Sequence, residues 1–268
     1  MKRPSNLQSS LLAAALVAGF HAPEAGAVVT FSDVGSGASL TAFASGDFVD
    51  PTDASATAGT FALSATATGN DGDYTIAYSS TIAVNGSSTF DPGVDGPIPG
   101  AATVAITNQS LSTSQNITNP FPIGDSWDFS GISGSSVTFT LDSAYDYVVT
   151  ASYSPFSTLF KIGGVFLHDG GSNVFVDQEY DGSAINISGT LAAGTYTFGS
   201  ALDHIGGAAL GAATIDDVTL SLSPVPEPSA AWLLAAGLGL GLRRRRLPQA
   251  STAFARSAVR STDGTGSR

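Results

Sequence analysis

The side chains in this chain that could do chemistry are few, and most are carboxylates set in turns. Asn70-Asp71-Gly72-Asp73, Asp91-Pro92-Gly93-Val94-Asp95-Gly96 and Asp177-Gln178-Glu179-Tyr180-Asp181-Gly182 each bring oxygen donors close together in sequence. Ca2+ takes about six to eight oxygens, so three clustered carboxylates supply roughly half a shell. Asp71, Asp73, Asp177, Glu179 and Asp181 are therefore calcium candidates. The competing reading is that Asp and Gly are what turns use, and none of these loops completes a twelve-residue calcium loop with its terminal Glu. Trp127, in Gly124-Asp125-Ser126-Trp127-Asp128-Phe129, is a glycan-binding candidate. Its ring can stack on a sugar while Asp125 and Asp128 take hydroxyls; the plainer alternative is a core or corner aromatic.

Catalytic constellations are harder to assemble. Between Val28 and Pro224 the only histidines are His168 and His204, the only glutamate is Glu179, and there is no arginine. No Gly-x-Ser-x-Gly elbow is present to hold a strained serine nucleophile. The chain has no cysteine, which removes thiol catalysis and cysteine metal sites. Paired carboxylates for glycoside hydrolysis depend on spatial rather than sequence separation. A secreted, glycosidase-like hydrolase on a lectin-like scaffold is thus the alternative to a non-enzymatic protein.

What must position these residues is a β framework. Short runs rich in Val, Thr, Phe and Tyr alternate with Gly, Asp, Asn and Ser, the all-β pattern. In Val137-Thr138-Phe139-Thr140-Leu141 the apolar residues share one face and the threonines the other. Phe61–Thr66 and Tyr74–Tyr78 alternate in the same way. Tyr147–Tyr153 is expected to form a hairpin with the Val137–Leu141 strand across 142–146. Further strands are expected at 165–168, 174–176, 184–188, 195–198 and 215–222, the last as an edge strand. The Ala- and Gly-rich stretch 202–213 reads as a loop, and the Pro/Gly-rich stretch 87–100 as a long loop within one domain. The fold expected is a single antiparallel β-sandwich.

Charge separates the ends of the chain from its middle. Residues 28–224 hold 19 acidic residues against Lys161 alone, leaving 18 net negative charges. Nucleic acid and anionic membrane surfaces both require a positive face, so neither is an expected partner. At the N-terminus, Met1-Lys2-Arg3, an apolar core at 11–20 and the small-x-small site Ala25-Gly26-Ala27 form the three regions of a secretory signal peptide. Cleavage is expected after Ala27, following export through the Sec machinery.

The C-terminal end has its own pattern. Val225-Pro226-Glu227-Pro228 precedes a thirteen-residue uncharged run, 230–242, and then Arg243, Arg244, Arg245 and Arg246. The prolines impose an extended peptide, the run suits lipid, and four arginines suit the cytoplasmic side of a C-terminal membrane segment. This combination resembles the PEP-CTERM sorting signal. The resemblance implies recognition of Val225, Pro226, Glu227 and Pro228 by an exosortase, a transient transmembrane helix, a basic stop, and removal of the tail. It implies delivery to the envelope, surface or extracellular matrix of a Gram-negative bacterium, in an exopolysaccharide or biofilm context. The run is shorter than usual for a span, about 20 Å as a helix against about 30 Å of hydrocarbon. The strands at 194–198 and 214–222 also resemble, over about 30 residues, the last strands of jelly-roll carbohydrate-binding domains. The expected organisation is a signal peptide (1–27), a jelly-roll-like sandwich (28–224), a sorting signal (225–246) and a disordered tail (247–268). Extracellular polysaccharide is the expected ligand class.

Overall fold

The computed structural model describes residues 26–226, except 46, 120–123, 125, 154–161, 180–182, 205 and 208–209. The expected N-terminal signal up to Ala25, the chain from Glu227 onward, and the expected span at 230–242 lie outside the described residues. Among the described residues no helix is long and apolar enough to cross a membrane.

Among the described residues thirteen strands follow one another: β1 (Val28–Ala44), β2 (Asp47–Ala56), β3 (Gly59–Thr68), β4 (Gly72–Val84), β5 (Ile98–Pro99), β6 (Ala102–Ile117), β7 (Trp127–Leu141), β8 (Tyr145–Tyr153), β9 (Ile162–Asp169), β10 (Val174–Glu179), β11 (Ile185–Leu191), β12 (Gly194–His204) and β13 (Gly211–Pro224). A one-turn helix, α1 (Pro92–Asp95), sits between β4 and β5. The strands form two antiparallel sheets. The first has the order β10-β9-β12-β7-β1-β2, with β5 added beside β1; the second has the order β11-β8-β13-β6-β4-β3. The chain from β6 onward is nested: β6 pairs with β13 and β7 with β12, while β8 pairs with β11 and β9 with β10. The N-terminal strands extend both layers, β1 and β2 beyond β7 and β4 and β3 beyond β6.

Period-2 patterning explains why the two sheets face each other. Along β4 burial alternates without a break, with Tyr74, Ile76, Tyr78, Ile82 and Val84 inside. Phe129, Val137, Phe139 and Leu141 of β7 and Phe198 of β12 are buried from the opposite layer. Neither sheet can hide its apolar face alone, so the two pack against each other. The β4 strand then turns on Asn85-Gly86, both with positive φ (47° and 78°), where Val84 and Ser87 exchange backbone hydrogen bonds of 3.0 and 2.9 Å. Asn-Gly is the pair that a tight, left-handed two-residue turn demands.

Three expectations are corrected. Tyr147–Tyr153 is not a hairpin partner of Val137–Leu141. The β7 strand lies in the first sheet and β8 in the second, where it pairs with β11 and β13. The connection 142–144 crosses between layers, so Val137, Phe139 and Leu141 enter the core from one sheet and Tyr145, Tyr147 and Val149 from the other. Asp142 fastens this crossing by accepting the Val28 N–H (2.8 Å) and the Ser143 hydroxyl (3.0 Å). The final strand, β13, is not at an edge; it runs between β6 and β8. Its adjacent exposed acids, Asp216 and Asp217, mark a bulge: Ala213 and Ile215 point inward before it, Val218, Leu220 and Leu222 after it. The stretch 202–213 is also not all loop, because Leu202–His204 continues β12 and Gly211–Ala213 begins β13. By contrast, 87–100 does connect neighbouring strands of one sheet, and it carries α1 and β5.

Candidate functional site

The residues singled out for sugar stacking sit at one end of the sandwich. Trp127 opens β7 and is half-buried, stacked on Tyr74 of the opposite sheet with ring centroids 5.7 Å apart and planes at 22°; Phe129 lies 5.5 Å away. Such pairs contribute about 0.5–1.5 kcal/mol beyond their area. The indole therefore closes the gap between the layers. Asp128, its neighbour along the strand, points to the other side, where its carboxylate accepts the N–H groups of Phe129 (2.8 Å) and Gly207. Asp128 thus pins the loop after β12 to the start of β7, and it does not converge with Trp127. Asp125 lies outside the described residues.

The first two acidic stretches lie in turns, whereas the third begins on strand β10 and not in a turn. Asp71, buried in the β3–β4 connection, receives the Thr118 and Asn119 N–H groups on its backbone carbonyl (2.8 and 3.1 Å). Asp73 accepts the Thr68 hydroxyl at 2.9 Å. Asp91 caps α1 through Gly93 N–H (2.8 Å), and Asp95 returns the favour to Asp91 N–H (2.7 Å). Asp177 and Glu179 are exposed on β10, while Asp181 is outside the described residues. Among the described residues no group of three His, Asp or Glu side chains is placed to hold a metal ion.

The histidines lie apart. His168, on β9, stacks on Phe166 (5.4 Å, 21°), and its Nδ1 lies 2.8 Å from the Asp169 carbonyl. Asp169 folds the β9–β10 turn by accepting Asn173 Nδ2 (2.8 Å) and the Gly171 N–H (2.9 Å), and these donors hold its carboxyl below the usual range. His204 points into the core. Beside it, Asp203 faces outward between Ile132 and Ile162 in the register of the first sheet. Its Oδ1 is buried without a hydrogen-bond partner. Burial raises its pKa, against a lowering contribution from the Ser133 N–H.

A polar cluster that sequence reading missed spans the middle of the core. Ser36, Ser80 and Ser135 form a closed triangle of hydroxyls (2.7, 2.9 and 2.9 Å) joining β1, β4 and β7. Each hydroxyl has one proton, and Ser80 gives its own to Ser36 while Ser135 gives its own to Ser80. Ser36 therefore donates to Ser135, and Tyr78 adds its own O–H at 3.1 Å. Gln109 Nε2 donates to Tyr78 (3.2 Å) and to the Ser200 carbonyl (3.1 Å), and the Ser200 hydroxyl donates to Gln109 Oε1 (2.7 Å). The network thus runs from sheet to sheet with its donors satisfied, the condition under which buried polar groups specify a unique arrangement. Gln109 reaches it through a bulge. Asn108, at φ 53°, flips the β6 phase, so that Ala102, Val104 and Ile106 point inward before it and Gln109, Leu111 and Thr113 after it. The signal available in sequence was the Thr107-Asn108-Gln109 break in alternation.

One shallow groove of about 250 Å³ opens on the outer face of the second sheet, lined by Ala62, Leu63, Ser64, Ala77, Tyr78, Ser79, Ser110 and Ser112. Its lining includes hydroxyls and methyl groups and no carboxylate or imidazole. Around it, cross-strand Thr60–Thr81 and Thr66–Thr75 pairs share hydrogen bonds of 3.2 and 2.8 Å. The chain matches no family model. No curated protein matches it either.

Proposed function

We propose that this chain is an exported, non-enzymatic component of the cell surface or exopolysaccharide matrix of a Gram-negative bacterium, processed by an exosortase. One observation carries this reading. The last strand ends at Pro224, and the Val225-Pro226-Glu227-Pro228 motif begins at the next residue, with the Val225 N–H bonded to the Ala144 carbonyl (2.9 Å). Cleavage in this motif leaves every described strand in place. Cleavage after Ala27 does the same at the other end, since β1 starts at Val28. The finer fold assignment is a jelly roll extended by the five strands β1–β5. It is supported by the nested pairing β6–β13, β7–β12, β8–β11 and β9–β10, which is a hairpin rolled into two layers. Jelly rolls include lectin domains, and glycan binding enters the proposal by that analogy of fold alone.

The test is the intact mass of the protein recovered from its host's medium and membrane fraction. A species beginning at Val28 and lacking everything beyond 225–229 is expected. A membrane-bound species retaining 230–268 overturns the sorting role of Pro226, Glu227 and Pro228.

A further inference from the structure

The four strands at the sheet edges are unlike one another in a way that the fold does not require. In the first sheet, β2 has the sequence Asp-Phe-Val-Asp-Pro-Thr-Asp-Ala-Ser-Ala, with Asp53 exposed, and β10 carries Asp177 and Glu179, both exposed. Charges and proline are what keep a sheet edge from pairing with another chain. In the second sheet neither edge has them. The β3 strand reads Gly-Thr-Phe-Ala-Leu-Ser-Ala-Thr-Ala-Thr, and β11 reads Ile-Asn-Ile-Ser-Gly-Thr-Leu. The far side of each backbone has no strand partner among the described residues.

The two uncharged edges also fit each other. Six strands, each antiparallel to its neighbour, make β3 and β11 run in opposite directions. A second copy placed alongside by simple translation therefore meets β3 with its own β11 in the antiparallel sense. Both strands turn the same chemistry to the same layer. Phe61, Leu63, Ala65 and Ala67 of β3 and Ile185, Ile187 and Leu191 of β11 face the core side; Ala62, Ser64 and Thr66, and Asn186, Ser188 and Thr190, are exposed on the other. Leu63 and Ile187 are each only partly buried against the core, one at each edge. A neighbouring copy covers both.

We propose that copies of this chain join head to tail, β3 of one against β11 of the next, extending the second sheet from molecule to molecule. The occupant of each edge is a second copy of this chain, because a partner with the apolar-in, hydroxyl-out face and the antiparallel direction that β3 requires is supplied by β11. The contact is heterologous, so it propagates into open chains rather than closing as a dimer. The acidic surface opposes it, and the carboxylates of β2 and β10 in the first sheet meet across the same junction. Assembly is consequently favoured when salt screens these charges, about 3 Å being the screening length near 1 M.

The experiment uses the protein as its host exports it, measured by light scattering and sedimentation across protein concentration at low and high NaCl. At high salt the average mass is expected to climb with concentration past twice the monomer, and to fall back at least twofold on dilution into low salt. The Ala62→Asp/Ser64→Asp and Asn186→Asp/Ser188→Asp pairs each add two charges at exposed positions of one edge and are each expected to abolish the increase. Ser32→Asp/Ser130→Asp, adding the same charge to the outer face of the first sheet, leaves it intact. Circular dichroism confirms that each variant is folded. A protein that stays monomeric at every salt concentration overturns the proposal. So does a closed dimer unaffected by the β11 pair, or assembly that the control pair abolishes equally.

Discussion

The two sheets share one core and differ at their margins. Facing inward, both contribute Phe, Tyr, Leu and Val, alternating with outward residues except where a bulge shifts the phase, and both contribute to the same hydroxyl network. Facing outward, the first sheet has a row of minimal side chains, Gly37, Gly134, Ala201 and Gly164, across four neighbouring strands. At Gly199, one row away, an added Cβ would run into the Phe166 ring. The second sheet presents mainly serine and threonine, which the first also carries in its Thr138–Thr197 and Thr140–Thr195 pairs. At the edges the contrast is electrostatic, with acids on the first sheet and none on the second. The lesson is that core demands fix only half of each strand. The outward and edge positions are free of that demand, and there the two sheets diverge.

The largest effect is expected where the sheets are joined. Gln109→Ala removes the acceptor of the Ser200 hydroxyl and the donor to Tyr78 and to the Ser200 carbonyl; a loss of about 2–3 kcal/mol in urea unfolding is expected. The double variant Gln109→Leu/Ser200→Ala, which removes both partners, is expected to be less destabilised than Gln109→Ala. If the double variant is the worse of the two, the network holds the sheets together by something other than paired polar groups. Ser135→Ala, which opens the hydroxyl triangle but leaves Gln109 and Ser200 paired, is expected to cost about 1–2 kcal/mol.

Smaller effects sharpen the difference in outer faces. The folded state raises the Asp203 pKa, mainly by burial. Above its unfolded pKa, near 3.9, the native state therefore holds the proton more tightly than the unfolded chain, and ionisation of Asp203 costs stability as pH rises through the folded value. Asp203→Asn is expected to raise the melting temperature at neutral pH, with the gain shrinking to nothing toward pH ~4. A gain independent of pH would assign the effect to something other than the charge. The smallest effect is expected at Asp169, whose pKa is lowered by its turn donors. Its contribution is present above the unfolded pKa and lost as pH falls through the folded value. Asp169→Ala should loosen the β9–β10 turn, seen as faster amide exchange at Asn173 with little change in global stability.

Much of the all-β character was legible because alternation is a local signal. Phe61–Thr66, Tyr74–Tyr78 and Val137–Leu141 each lie within a strand whose apolar positions are inside. The bulged strands were harder. In β6, Asn108 breaks the phase, and β1 shifts register between Phe31 and Asp33. A one-residue phase change hides a long strand from a period-2 reading. The site candidates were legible as residue types but not as neighbours. Trp127 and Asp128 are adjacent in sequence and for that reason point to opposite faces of one strand, while Asp73 and Asp91 find partners within their own hairpin or loop and Asp71 is tied to Thr118 and Asn119 after β6.

By itself the sequence determined an acidic, cysteine-free β chain with turns at its Gly, Asp and Asn clusters, because composition, alternation and turn chemistry act over a few residues. It also carries the two terminal patterns on which the export reading rests. Only the tertiary structure decided which strands became neighbours, that β7 and β8 belong to different layers, and that β13 lies inside a sheet. It alone placed six polar side chains from five strands in one buried network. Those outcomes depend on contacts between residues far apart in the chain, such as Ser36 with Ser135 and Ala102 with Leu222, and no local periodicity encodes which distant strand will supply the partner.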